Sequence, residues 1–212
     1  RRRSANASVR HALKQIQNPD IILKKLGKDI TAYRDLLVDG HLSSCVQSRK
    51  SGVLSLEWEV AAGNAPQEVF DFVREVFDSL DLPRILGEML DAPLYGYSFH
   101  EVDWIYQGGR YRVADVVAKP QEWFKFNEAD NQPVFLTSSA QDGALPLPEY
   151  KFLHLKHQGS YMNPYGQALL SKCFWPISFK NQMIKFGLQF AEKYGMPYLF
   201  GKYDPLDDAQ LI

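Results

Sequence analysis

The chain has 212 residues, 45% hydrophobic and 23% charged, a balance that excludes a disordered or fibrous protein and leaves enough length to bury a sizeable core. Lysine and arginine number 24 against 25 aspartates and glutamates, a formal net charge of -1, so there is no global attraction to nucleic acid or membrane and any DNA contact must be local. Cys45 and Cys173 stand far apart in no metal-ligand spacing, which argues against a zinc site or a disulfide framework and suits a reducing compartment. No run nears the roughly 20 apolar residues of a membrane span, and no signal-peptide pattern opens the chain.

Arg1-Arg2-Arg3 with Ser4, Ala5 and Asn6 reads as a solvated basic lead-in rather than a nucleic-acid arm, since three charges attract phosphate only weakly. Ile21, Ile22, Leu23 and Leu26 predict a short helix capped by Asn18 or Asp20 and ended by Gly27. Asp29 then caps a second predicted helix carrying Ile30, Tyr33, Leu36 and Leu37, broken at Asp39-Gly40. A third runs from His41 to Lys50. In Val53 to Val60 the alternation from Leu54 onward predicts a half-buried strand, with Leu54, Leu56, Trp58 and Val60 facing in and Ser55, Glu57 and Glu59 facing out.

Ala65-Pro66 starts an amphipathic helix with Val69, Phe70, Val73, Val76 and Phe77 on one stripe. Asp81-Leu82-Pro83 ends it or restarts it into Ile85, Leu86, Met89 and Leu90. The middle of the chain is strand-rich. Tyr97 to Tyr106 and Arg110 to Ala118 flank Gln107-Gly108-Gly109, a hairpin turn because both glycines accept positive φ. Shorter strands are expected at Trp123 to Phe126, Pro133 to Thr137 and Phe152 to His157.

The loop Gly159 to Gly166 leads into the longest element, about Gln167 to Tyr194, with Pro176 inside it to kink or split it and Gly195 closing it. Its apolar residues Leu169, Leu170, Cys173, Phe174, Ile177, Ile184 and Ala191 suit core or subunit packing, while Lys172, Lys180, Lys185 and Lys193 scatter and form no DNA-binding stripe. A strand from Tyr198 to Tyr203 and a helix start at Asp207 follow. Arg1 in first place and Leu211-Ile212 in mid-element read as a piece of a longer polypeptide. The order is α+β, not the repeated βαβ of a doubly wound nucleotide-binding sheet.

Catalytic constellations are scarce. His154 and His157, three apart on a strand, fall on opposite faces and read as surface or partner-packing residues rather than a metal pair. Gly96-Tyr97-Ser98-Phe99-His100 lacks the final glycine of a nucleophile elbow, and its serine enters a strand instead of a helix. Glu101 and Asp103 share one strand face and, with His100, are the residues a hydrolase or transferase would use. No phosphate-cradling glycine motif supports that reading. Trp58, Trp104, Trp123 and Trp175 read as packing anchors. The expectation is no catalytic, cofactor-binding or metal residue, with DNA-binding positions unassigned.

The order of these segments carries a resemblance. Asn18-Pro19-Asp20 to Leu23, Leu26 to Leu37, Cys45 to Lys50 and Leu56-Glu57-Trp58, followed by Tyr95 to Trp104 and by Asn163-Pro164-Tyr165-Gly166 leading into the long helix that ends at Gly195-Met196-Pro197, resemble Mu-like bacteriophage portal proteins. The resemblance spans about Pro19 to Tyr203. It implies a homo-oligomeric ring, usually of twelve subunits, at one capsid vertex of the virion, assembled in the host cytoplasm and crossed by double-stranded DNA during packaging and ejection. Implied partners are the terminase large subunit, the major capsid or scaffold protein and the head-tail connector, with no membrane.

The resemblance also implies an arrangement of a basic lead-in (1–17), an α+β wing with an antiparallel or mixed sheet (18–157), a loop and stem-like helix (158–196) and the start of a clip-like region (197–212). The second stem helix, the tunnel loop and the crown would follow Ile212. The alternatives are another head-tail component of the virion, or a hydrolase or transferase using His100, Glu101 and Asp103.

Overall fold

The computed structural model describes residues 15–137, 143–195 and 201, and the chain divides into two units, one up to Phe174 and one from Trp175. The expected strand from Tyr198 to Tyr203, the helix start at Asp207 and the basic lead-in up to Lys14 lie outside the described residues.

The first unit opens with strand β1 (Gln15–Ile16) and helix α1 (Ile21–Leu26). The Asp20 carboxylate accepts from the Ile22 N–H at 2.9 Å and the Leu23 N–H at 3.4 Å, and Gly27 ends the helix at φ 59°, the left-handed conformation that glycine adopts without a Cβ penalty. Asp20→Ala is expected to cost about 1 kcal/mol, the ordinary worth of such a cap, read as a lower urea midpoint.

After Asp29 the sequence reading needs correction. The segment is not one α-helix but two 3-10 turns, Ile30–Tyr33 and Asp35–Val38. Ile30, Tyr33 and Leu36 recur every three residues, the period of the tighter helix, and all three are buried.

Helix α2 (Gly40–Leu54) is capped by Asp39 and runs four residues past the predicted end, through the start of the predicted strand. Residues 56–62 form no strand. Leu54, Leu56 and Trp58 are exposed rather than inward-facing, and Trp58 rests against Phe77 at 6.2 Å. Alternation reports only that one side of a segment is apolar, whereas a strand also needs a neighbouring edge for its backbone groups, and none among the described residues pairs with it. Helices α3 (Gln67–Ser79) and α4 (Leu82–Met89, with Asp81 as cap and Pro83 in the first turn) follow as the amphipathic stripes predict, and a short helix α5 (Asp91–Tyr95) that no stripe predicted comes after them.

Two antiparallel sheets form the centre. One has the order β3-β2-β7, from β2 (Tyr97–Gln107), β3 (Arg110–Lys119) and β7 (Phe152–Lys156). The other has the order β1-β4-β5-β6, from β1, β4 (Phe124–Asn127), β5 (Pro133–Leu136) and β6 (Ala144–Pro146). Gly108 and Gly109, at φ 62° and 79°, make the predicted hairpin turn. Strands β1 and β6 carry no signal in the sequence, because two or three residues are too few to show a period.

Strand β2 lies between the layers and its alternation sorts them. Tyr97 and Phe99 face the second sheet, where Phe99 stacks on Phe124 with ring centroids 4.0 Å apart and on His154 at 4.4 Å, and Phe126 meets Tyr165 edge-on at 4.6 Å. His100 and Val102 face the helices. There Arg84 of α4 bonds Asp115 and the Val116 carbonyl of β3, and Glu88 accepts from the Ala118 N–H at 3.2 Å. Arg34 ties the 3-10 turns to Gln121 and Glu122 by bonds of 2.9 Å and 2.7 Å, the second part of a bidentate guanidinium–carboxylate fork.

The second unit is the body of helix α6 (Leu169–Tyr194), whose first residues belong to the first unit. Pro176 does not split it. The helix continues through the proline, and the two units divide one residue before it.

Candidate functional site

His100, Glu101 and Asp103 do not converge. His100 is 0% exposed beneath α4 and α5, and burial lowers its pKa, an effect that the carboxylates of Glu88 and Asp91 partly offset. Glu101 points to the other face. There the Lys119 and Lys151 ammonium groups, at 2.7 Å and 3.1 Å, hold its carboxyl below the usual range. Asp103 shares Lys151 at 3.1 Å. Two carboxylates neutralised by lysines, with the histidine sealed on the opposite side of the sheet, leave no acid–base pair facing a common substrate.

Ser98 is likewise buried within β2. His154, read from sequence as a surface or partner-packing residue, is half-buried against aromatic side chains. Its ring lies between Phe99 and Phe126, its Nε2 has no hydrogen-bond partner, and burial, with help from the Lys156 ammonium, pushes its pKa down to about 4. His157 sits just past the end of β7, its Nδ1 3.0 Å from the Gln167 carbonyl oxygen. Among the described residues no group of His, Cys, Asp and Glu could hold a metal ion, and no helix is long and apolar enough to cross a membrane.

The conspicuous surface is on α6. Trp175, Phe179, Met183, Phe186, Phe190 and Tyr194 are spaced four, four, three, four and four residues apart, which at the α-helical repeat places them within an arc of about 100°. All are exposed, with Phe179 at 60%, Met183 at 73%, Phe186 at 62% and Phe190 at 65%. The apolar positions singled out from the sequence lie on a neighbouring stripe, and of the residues on this helix only Leu170 is fully buried. The aromatic stripe was legible as a period but was masked by that second stripe, since a helix apolar over more than half its circumference shows no single dominant face.

Single exposed apolar side chains are normal on a protein surface; a continuous file of large ones marks a surface made to be covered. A smaller exposed apolar cluster lies where α2 leads to α3, around Leu56, Trp58 and Phe77. The other tryptophans act partly as packing anchors. Trp104 donates to the Tyr150 carbonyl at 2.7 Å, Trp123 meets Phe135 edge-on, and Trp175 stacks on Phe179.

The protein is thus an α+β body followed by a long helix with an exposed apolar file. Residues 30–211 match the family described as "Portal protein of Mu bacteriophage", and the chain belongs to that family. It is 28% identical over 186 residues to the portal protein of Escherichia phage Mu, a match covering 82% of this chain and 36% of that protein. It is 26% identical over 176 residues to the Mu-like prophage FluMu protein gp29 of Haemophilus influenzae, covering 78% of this chain and 33% of that protein. The chain thus spans about a third of the length of these curated relatives.

Proposed function

We propose that this chain is the wing and first stem helix of a portal subunit, working mechanically rather than as an enzyme, in a ring at one capsid vertex through which double-stranded DNA is packaged and ejected. The wing corresponds to residues 18–157, the stem helix to the stretch ending at Tyr194, and residues from 197 onward to the start of the clip. The terminase large subunit, the major capsid or scaffold protein and the head-tail connector dock on such a ring, which has twelve subunits in the usual case. It assembles in the host cytoplasm and remains in the virion.

The observation that carries this reading is the exposed file on α6. A closed ring needs each subunit to offer a surface that its neighbour covers. Burying Phe179, Met183, Phe186 and Phe190 at about 2 kcal/mol each would contribute about 8 kcal/mol per contact before the entropy of association is subtracted. The absence of a basic stripe suits a conduit, since tight phosphate contacts would hold DNA that must slide.

The test uses the full-length protein carrying Phe179→Glu together with Phe186→Glu. Native mass measurement and electron microscopy should show rings for the unaltered protein and monomers for the double variant, with the circular dichroism spectrum of the two alike. Rings persisting in the variant would remove α6 from the contact, and an unaltered protein that stays monomeric at every concentration would overturn the ring itself.

A further inference from the structure

A cleft of about 540 Å³ opens in the first unit between α1 and strand β4. Its lining combines three features. Lys24 and Lys28, from the end of α1 and the residues after it, and Lys125 of β4 are lysines of the lining, and none makes an ion pair among the described residues. Of the two carboxylates that also line it, Glu122 is paired with Arg34 at 2.5 Å, while Asp29 accepts from the Ile30 N–H at 2.7 Å and leaves the lysines in excess by two charges. Its floor is apolar, formed by Leu23, Phe124 and Tyr165.

The third feature is a strand edge. Among the described residues the β1–β4 ladder consists of Gln15 opposite Asn127 and Ile16 opposite Phe126, after which Gln17 and Asn18 leave β4 to form part of the cleft wall. Beside the cleft, Lys125 and Phe124 therefore have no strand neighbour among the described residues on that side of β4.

We propose that this cleft is a docking site for an extended, acidic polypeptide segment, which adds to the free part of the β4 edge, sets apolar side chains on the Leu23–Phe124–Tyr165 floor and directs carboxylates to Lys24, Lys28 and Lys125. A strand-forming segment uses all three features, whereas a nucleic-acid phosphate uses only the lysines. The chain's own residues 1–14 do not fit this chemistry, because they contain Arg1, Arg2, Arg3, Arg10 and Lys14 and no carboxylate. The proposal is independent of the ring reading, since the cleft lies wholly in the first unit.

The test is fluorescence anisotropy on the full-length protein with a fluorescein-labelled ten-residue peptide alternating aspartate and leucine. The comparisons are the same peptide with asparagine for aspartate, a random-sequence DNA duplex and inorganic phosphate. The acidic peptide should bind, at least tenfold more tightly than the asparagine form, and K24E with K28E should weaken it at least tenfold. Both lysines are exposed, so the variant should keep the thermal midpoint and the oligomeric state of the parent, which separates loss of this site from loss of assembly. No binding of the acidic peptide, equal binding of the asparagine peptide, indifference to the lysine changes, or displacement of the peptide by phosphate or DNA at matching affinity would each overturn the proposal.

Discussion

Gly166→Ala is expected to destabilise the first unit by about 3 kcal/mol, lowering its thermal midpoint on the order of 10 °C. Two effects combine. Gly166 sits at φ 75°, a conformation that costs an L-residue about 1 kcal/mol or more, and a Cβ there would run into the Gly96 carbonyl oxygen and come within 2.5 Å of that of His157. Gly96, at φ 95°, faces the same crossing from the other side, where an added Cβ would lie 2.8 Å from the Tyr165 carbonyl oxygen.

The atoms in the way are backbone, so no rotamer change relieves the clash and the two segments must part. That would loosen the bonds from the His157 N–H to the Gly96 carbonyl at 2.9 Å and from the Gln167 N–H to the His157 carbonyl at 2.8 Å, which hold the approach to α6. Thermal melts of G166A and G96A beside Gly108→Ala check this. Gly108 also has positive φ, but a Cβ there meets nothing within 4 Å, so it reports the conformational cost alone. A G166A melt no lower than that of G108A would show that the crossing has room.

Acidification is expected to remove up to about 3 kcal/mol of stability through His154 alone. Its pKa in the folded protein is about 4 against about 6.5 in an unfolded chain, so between those values the unfolded state binds more protons. Stability from the neutral ring is therefore complete above about pH 6.5, declines as pH falls toward 4 and changes no further below it. His100, buried on the other face, shifts in the same direction and adds to the loss.

Carboxylates such as Glu101 and Glu122, whose pKa values are lowered by lysine and arginine partners, also lose stability in acid, so the comparison must be differential. His154→Phe keeps the stack on Phe99 and removes the titrating group. Urea unfolding of parent and variant from pH 7.5 to 4 should show the variant gaining on the parent as pH falls. A difference constant across that range would mean that His154 keeps its proton balance on folding.

Local chemistry determined much of this protein from sequence. Asp20 starts a helix because its carboxylate satisfies N–H groups that the helix leaves open, as Asp39 and Asp81, read from sequence only as breaks, also do, and Gly27 and Gly108-Gly109 turn the chain because only residues without a Cβ adopt those conformations freely. The α+β class, the long β2–β3 hairpin and the long helix ending at Tyr194 were legible for the same reason: each rests on interactions within a few residues or on a sustained period, whereas Pro176, read as a kink or a split, left the helix continuous. The family was legible in the order of its segments.

Only the tertiary structure decided the rest. Leu54 to Val60 carries a clean strand alternation and forms no strand, because pairing depends on an edge that another part of the chain must supply. His154 enters the aromatic core because Phe99 and Phe126 arrive from two different sheets. The cleft exists because β1 leaves β4 after two residues, while Lys24 and Lys125 stand a hundred residues apart in sequence. Whether the file from Phe179 to Phe190 is core or surface could not follow from its period, since a helical period specifies a face and only the neighbours specify what covers it.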